Sequence, residues 1–291
     1  MNMEKREKLY ALLFLSPSLL FFAVFFVFPL IFTVYLSFHQ WDMSGSVLKA
    51  LNVGINNYLT LIGDARFKTT LLNTFLLVGA NILLMPALSL GVAVLLNEVK
   101  HGTAFWRLIF FLPIVTSVVA MSLVWQYIFD PTFGPLNEIL KFFNLAPQGW
   151  IMNKNQSLLS IVIFMLWQGI GYYAIIYLAG LQGISDEYYE AATLDGASAW
   201  QKFSYITLPL LMPTSLFVFV MVAINSFQVF TQVFILTNGG PVDSSNVLGL
   251  YIYQTAFEFL NMGKASAMAV ILFVLVMGVS LIQLRLMRQN E

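Results

Sequence analysis

Ser185-Asp-Glu-Tyr-Tyr-Glu-Ala-Ala-Thr-Leu-Asp-Gly-Ala-Ser-Ala-Trp-Gln-Lys-Phe-Ser-Tyr-Ile-Thr-Leu-Pro209 is a polar interruption in an apolar chain. Its local signals are strong. Ser185 is a suitable N-cap, with Asp186 and Glu187 in the first turn, where the helix dipole favours anions. The sequence predicts a short helix to about Asp195, closed by Gly196 in the left-handed conformation. Ser198 and Gln201, three residues apart, form a capping box that starts a second helix. Ala191 and Ala192 leave one face without bulk, while Tyr188, Tyr189 and Leu194 supply apolar anchors and Glu190 a charge. Such a helix suits a groove on a partner protein; read from the residues alone, it is equally a well-capped loop.

Outward from this segment the chain is charge-free over residues 155–185 and 203–242, and again over 9–41, 69–97, 108–129 and 265–284. Each run is long enough to cross about 30 Å of hydrocarbon as one helix. With 59% apolar and 10% charged residues in a 291-residue chain, water is not the solvent for this surface. A bilayer offers no partner to a free backbone amide, and the alternation of a membrane barrel is missing, so the spans are expected to be helices. The expected fold class is an all-α membrane protein with six transmembrane helices in one domain, 1–291. Lys5, Arg6 and Lys8 ahead of the first run imitate a secretory signal. The run is too long for one and reads as a retained helix. Without cysteine there is no disulfide or thiolate chemistry, and zero net charge gives no basic patch for nucleic acid.

Six spans put both termini on one side. If that side is cytoplasmic, the inner segments hold Lys5, Arg6, Lys8, Lys100, Arg107, Lys202, Arg285 and Arg288 in about 50 residues. The outer loops hold Lys49, Arg66, Lys68, Lys141, Lys154 and Lys264 in about 85. The density favours cytoplasmic termini. The outer loops are rich in aromatics, among them Phe133, Phe142, Phe143 and Trp150, and are expected to form interfacial or short packed helices, as is the apolar stretch Val247–Phe259.

No span carries Asp, Glu, Lys, Arg or His in its interior, which argues against a proton- or ion-coupled secondary transporter. The phosphate-cradling loop of an ATPase is absent, as is a nucleophile–base or metal constellation for a membrane enzyme. The spans do carry amides and hydroxyls, which serve either as interhelical bonds or as ligands for a hydrophilic solute. The densest cluster is Asn225-Ser226-Phe227-Gln228-Val229-Phe230, where amides beside aromatic faces suit a neutral polyol. Asn225 and Gln228 are expected on one helical face, with Phe230 beside them, and Gln168 and Tyr172, with Trp167, on a facing helix. The fifth span is expected to run to Gly239-Gly240-Pro241, placing this cluster near mid-bilayer.

The run Glu190-Ala191-Ala192, three residues, Gly196, nine residues, Ile206, one residue, Leu208-Pro209 matches the EAA signature and so resembles the permeases of binding-protein-dependent ABC importers. Asn56-Asn57-Tyr58, Asn73-Thr74, Phe111-Leu112-Pro113, Leu178-Ala179-Gly180-Leu181-Gln182 and Thr237-Asn238-Gly239-Gly240-Pro241 are similar to the carbohydrate branch, which includes maltose and glycerol-phosphate permeases. Ser185-Asp186 stands where Ile-Pro is often found in relatives. The resemblance implies the type I importer fold, with a five-helix core over about 69–284 and a coupling loop over about 182–209. It implies a second permease, two ATPase subunits that bind ATP and Mg, and an extracytoplasmic solute-binding protein. It implies no cofactor in this chain. Glu190, Ala191, Ala192, Gly196, Leu208 and Pro209 would form the contact with an ATPase. The expected cargo is a sugar or polyol, the alternative being glycerol-phosphate or another small polar solute.

Overall fold

A computed structural model describes residues 3–99 and 101–288; Lys100 and the two chain ends, on which the orientation argument partly rests, lie outside them. Helix α1 (Met3–Phe22) passes through a π turn (Ala23–Val27) into α2 (Phe28–Ser37), giving one apolar span, Tyr10–Ser37. The π turn has a local cause. Pro29 has no N–H to donate, and its ring crowds the preceding turn, so the ladder widens and Phe28 N–H reaches back to the Ala23 carbonyl. A two-residue antiparallel pair, β1 (His39–Gln40) with β2 (Leu51–Asn52), leads to α3 (Asn56–Gly63) and the long α4 (Ala65–Glu98).

The third apolar run is not one helix. It forms α5 (Thr103–Val115) and α6 (Val118–Ile128), which meet at 100°. Thr116 and Ser117 are both extended, and Thr116 Oγ1 donates to the Pro113 carbonyl at 2.7 Å, a side-chain bond that competes with the helical ladder. After α7 (Pro135–Phe142) comes α8 (Ser157–Gln182), then α9 (Asp186–Leu194), α10 (Ala199–Lys202), a second π turn (Phe203–Thr207) and α11 (Leu208–Leu210). Here too a proline follows the π turn: Pro209 cannot donate, and Leu208 N–H bonds to the Phe203 carbonyl. The chain bends by 66° into α12 (Met212–Phe227). Helices α13 (Thr231–Leu236), α14 (Leu248–Tyr253) and α15 (Met262–Arg288) complete it. Among the described residues, four helical segments are long and apolar enough to cross a membrane, up to six if each bent pair is one span.

The fifth run also departs from the expectation. Instead of continuing to Gly239, the helix stops at Phe227, and Gln228, Val229 and Phe230 form a break before α13. The break is the site of a close tertiary contact. A β-carbon on Gly249 would stand 2.8 Å from the Val229 carbonyl, so α14 approaches the break closely at a residue with no side chain.

The chain divides into two compact units. In the first, residues 1–64 with 252–273, Asn57 Nδ2 donates to the Ser37 and His39 carbonyls, Met262 N–H to the Trp41 carbonyl, and Lys264 Nζ pairs with Asp64 at 2.6 Å. In the second, residues 65–251 with 274–291, α4 and α8 carry the core: Met85 and Ala93 of α4 pack with Tyr173, Ala174, Tyr177 and Leu178 of α8 and with Leu211, Val218 and Val222. Helix α5 crosses α8 at Gly171, where any β-carbon would collide with the Phe110 carbonyl. The turn before α14 is pinned to α4. Arg66 pairs with Asp243 at 2.9 Å, Asn73 Nδ2 donates to the Asp243 and Asn246 carbonyls, and Leu248 N–H donates to Thr74 Oγ1. Val247, Leu248, Leu250 and Tyr251 are buried, so this part of the apolar stretch is packed rather than interfacial.

Candidate functional site: a capped polar helix and an intramembrane cavity

The polar loop folds as its sequence predicts. Ser185 Oγ accepts the Glu187 N–H at 3.4 Å. At the other end of α9, Gly196 takes φ +78°, the Ala197 N–H reaches the Ala192 carbonyl at 2.9 Å and the Gly196 N–H the Thr193 carbonyl at 3.1 Å. These are the two bonds of a Schellman motif, which requires the left-handed residue that glycine supplies at least cost. Two residues on, Ser198 and Gln201 complete the capping box: Ser198 N–H donates to Gln201 Oε1 at 2.8 Å and Gln201 N–H to Ser198 Oγ at 3.3 Å.

The two short helices are held together by side chains. Lys202 Nζ donates to Thr193 Oγ1 at 2.7 Å, and the Tyr189 and Thr207 hydroxyls lie 3.0 Å apart. No residue of α9 is buried. Glu190, Ala191 and Gly196 are exposed and Ala192 partly so, beside an exposed Tyr188 and a Leu194 with 89% of its surface free. Leu208 and Pro209 follow the π turn that bends the chain back toward the bilayer. The result is a helix capped at both ends, with exposed carboxylates at Asp186 and Glu187 in its first turn and at Glu190 in its middle, and an apolar tip at Leu194.

The second feature lies among the spans. A cavity of about 380 Å³ has a mixed lining: Gln168, Tyr172 and Tyr173 of α8, Asn225 and Gln228 at the end of α12 and Gln232 bring polar groups to it, and Met85, Ile114, Val118, Met165 and Val229 supply apolar walls. Four of the six residues expected along a solute path therefore meet. Trp167 and Phe230 do not line it. Trp167 packs against Trp125 at 5.2 Å between ring centroids, and Phe230 stacks on Phe234 at 5.4 Å. Asn225 and Gln228 lie one helical turn apart, as expected, because the Gln228 N–H still reaches the Ile224 carbonyl at 3.2 Å; the helix breaks only beyond this cap.

The lining polar groups are not equivalent. Asn225 Nδ2 donates to the Tyr173 hydroxyl at 2.9 Å, so part of this amide is used within the protein. The side chains of Gln168, Gln228 and Gln232 make no hydrogen bond to another described residue. Gln168 is buried, and an amide removed from water needs a partner, which a hydrated or solute-filled cavity supplies. The lining contains no charged residue. Sequence reasoning missed Tyr173 and Gln232. Gln232 lies beyond the break, and Tyr173 looks like an ordinary core aromatic until its hydroxyl is seen on Asn225.

Apolar spans, an exposed capped helix between them and an uncharged cavity of mixed lining thus occur in one chain. The family described as binding-protein-dependent transport system inner membrane component matches residues 87–289, and the chain belongs to it. It is 35% identical, over 99% of both chains, to a probable ABC transporter permease protein, YurN, of Bacillus subtilis. It is 36% identical to the multiple sugar-binding transport system permease protein MsmF of Streptococcus mutans, covering 96% of this chain and 95% of that one. Its fold is that of a chain in a bacterial ABC transporter involved in the import of the acidic polysaccharide alginate. The TM-score is 0.84 with 23% identity, covering 99% and 97% of the two chains. The fold class is the type I ABC importer permease, multi-pass in the membrane.

Proposed function

We propose that this chain is the translocation subunit of an ATP-driven importer of a sugar or related neutral polyol. It works beside a second permease, two ATPase subunits and an extracytoplasmic solute-binding protein. The observation that carries this reading is the convergence of Gln168, Tyr172, Asn225 and Gln228 on one uncharged cavity in a chain of this family. Amides bond to hydroxyls, tyrosine rings pack on C–H faces, and a phosphorylated cargo would call for a cation that the lining lacks. The sugar-transport name of a 36% identical relative supports the same class.

The chain itself performs no catalysis and carries no cofactor; ATP and Mg belong to the ATPase subunits. In this reading Glu190, Ala191, Ala192 and Gly196 enter a cleft of an ATPase subunit, with Leu208 and Pro209 setting the geometry of the loop. Closure of the ATPase pair then shifts the permeases between inward- and outward-facing states, a two-state change biased by nucleotide and by the docked binding protein. The termini and the α9 helix lie in the cytoplasm.

The test uses leucine variants in the assembled transporter. Asn225→Leu strands the buried Tyr173 hydroxyl, a loss of about 1–3 kcal/mol, and is expected to lower stability as well as uptake. Gln168→Leu and Gln228→Leu break no such bond. They are expected to leave assembly and binding-protein-stimulated ATP hydrolysis in place while uptake falls or changes its sugar preference. Wild-type uptake kinetics in both glutamine variants would remove the cavity from the solute path.

A further inference from the structure

The loop between α6 and α8 is built around one side chain. Asn137 of α7 is fully buried and uses all four of its hydrogen-bonding positions: Nδ2 donates to the Pro131 and Gln148 carbonyls at 2.9 Å each, and Oδ1 accepts Gln148 N–H at 3.0 Å and Trp150 Nε1–H at 2.9 Å. The knot continues through Trp150 to Phe129 and on to Trp125 of α6, with ring centroids 5.6 and 5.0 Å apart. Helix α7 is therefore fixed in rotation.

Held this way, it turns an apolar row away from the protein. Ile139 and Phe142 fall within one sector of the helix, at 54% and 81% exposure, and Phe133 just ahead of it is 73% exposed; Phe143 and Leu145 follow, also open. The charged pair, Glu138 and Lys141 at 2.7 Å, borders this row on one side, with Glu138 one turn before Phe142 and Lys141 farther round the helix. An exposed apolar patch of this kind marks a surface meant to be covered.

We infer that α7 lies in the outer membrane–water interface, with Phe133, Ile139 and Phe142 inserted among the acyl chains and Glu138–Lys141 facing the headgroups and water. Lipid is the occupant we infer because the patch continues an exposed apolar row on a helix of a candidate membrane span. Helix α6 exposes Val119, Leu123, Val124 and Tyr127, and the loop's aromatics begin a few residues past Tyr127. Aromatic and aliphatic groups beside a span end, over a polar strip with a lysine, are the composition of an interfacial helix. This loop is separated from α9 by the whole of α8, so it sits at the opposite membrane face from the polar coupling loop.

The chain lacks cysteine, so each introduced cysteine is unique within it, and the partner subunits are used in cysteine-free form. Labels at Phe142→Cys, Ile139→Cys and Glu138→Cys would be compared in the assembled transporter, in nanodiscs of phosphatidylethanolamine and phosphatidylglycerol. Power saturation with oxygen and with a water-soluble nickel chelate gives their depth. At Phe142 and Ile139 the label is expected about 5–10 Å below the headgroup boundary, with oxygen collisions dominant, and at Glu138 in water. Nickel accessibility at Phe142 and Ile139 equal to that at Glu138 would overturn the inference. So would a label shielded from both reagents, which means a protein partner covers the patch. Two positions on one exposed row guard against a single variant that fails to assemble.

Discussion

Two glycines separate structural from functional necessity at the level of the single residue. Gly196 sits at φ +78° with nothing within 4 Å of a would-be β-carbon, so Gly196→Val strains only its own backbone. A left-handed non-glycine residue costs roughly 1–2 kcal/mol, more for a β-branched one, and relieving it unwinds the Schellman turn. The expected outcome is normal membrane insertion and abundance with uptake abolished; wild-type uptake would remove the helix from ATPase coupling. Gly171 is the opposite, because Gly171→Ala drives a methyl into the Phe110 backbone and must push α5 off α8. Overpacking of this kind costs about 1–3 kcal/mol, and detergent-extracted protein is expected to melt several degrees lower. Unchanged melting would show that the two helices part freely.

The two prolines that follow π turns act on whole elements. Pro209→Ala returns the missing N–H and is expected to let Phe203–Thr207 tighten to a regular helix. That rotates everything N-terminal to it, including α9, relative to α12. Assembly is expected to survive while stimulated ATP hydrolysis no longer tracks uptake; retained coupling would assign the proline to insertion alone. The same comparison shows what could be read from sequence. Caps are written in adjacent residues, and Ser185, Gly196 and the Ser198–Gln201 pair were legible because each acts within one turn of itself. The break at Gln228–Phe230 was not, since it is packed against Gly249 of another helix, a contact that no local sequence signal records. Nor was the bend at Thr116–Ser117, where apolar neighbours on both sides make a broken helix and a straight one look alike to a hydropathy argument. The cavity was half legible: amides announce that something polar is needed, but Tyr173 and Gln232 join only once the chain has folded back.

For the molecule as a whole, orientation is the simplest quantity to measure. A fluorescent reporter after Glu291 is expected to light up, and a phosphatase reporter there to stay silent; the reverse would overturn the placement of α9 in the cytoplasm. The first span carries a different consequence. Only 6% of its apolar window is buried, whereas 44% of α8's is. Within its own unit this helix is held at few points, so its composition answers more to oil than to packing. Mutational drift is therefore expected to be nearly free along Tyr10–Val34, where one hydrophobe replaces another without loss, and to stop at the buried Leu36 and Ser37. In a saturation library scored by growth on the transported solute, tolerance would fall from the first span to α8 in step with burial, so the most oily stretch of the protein would also be its least memorised.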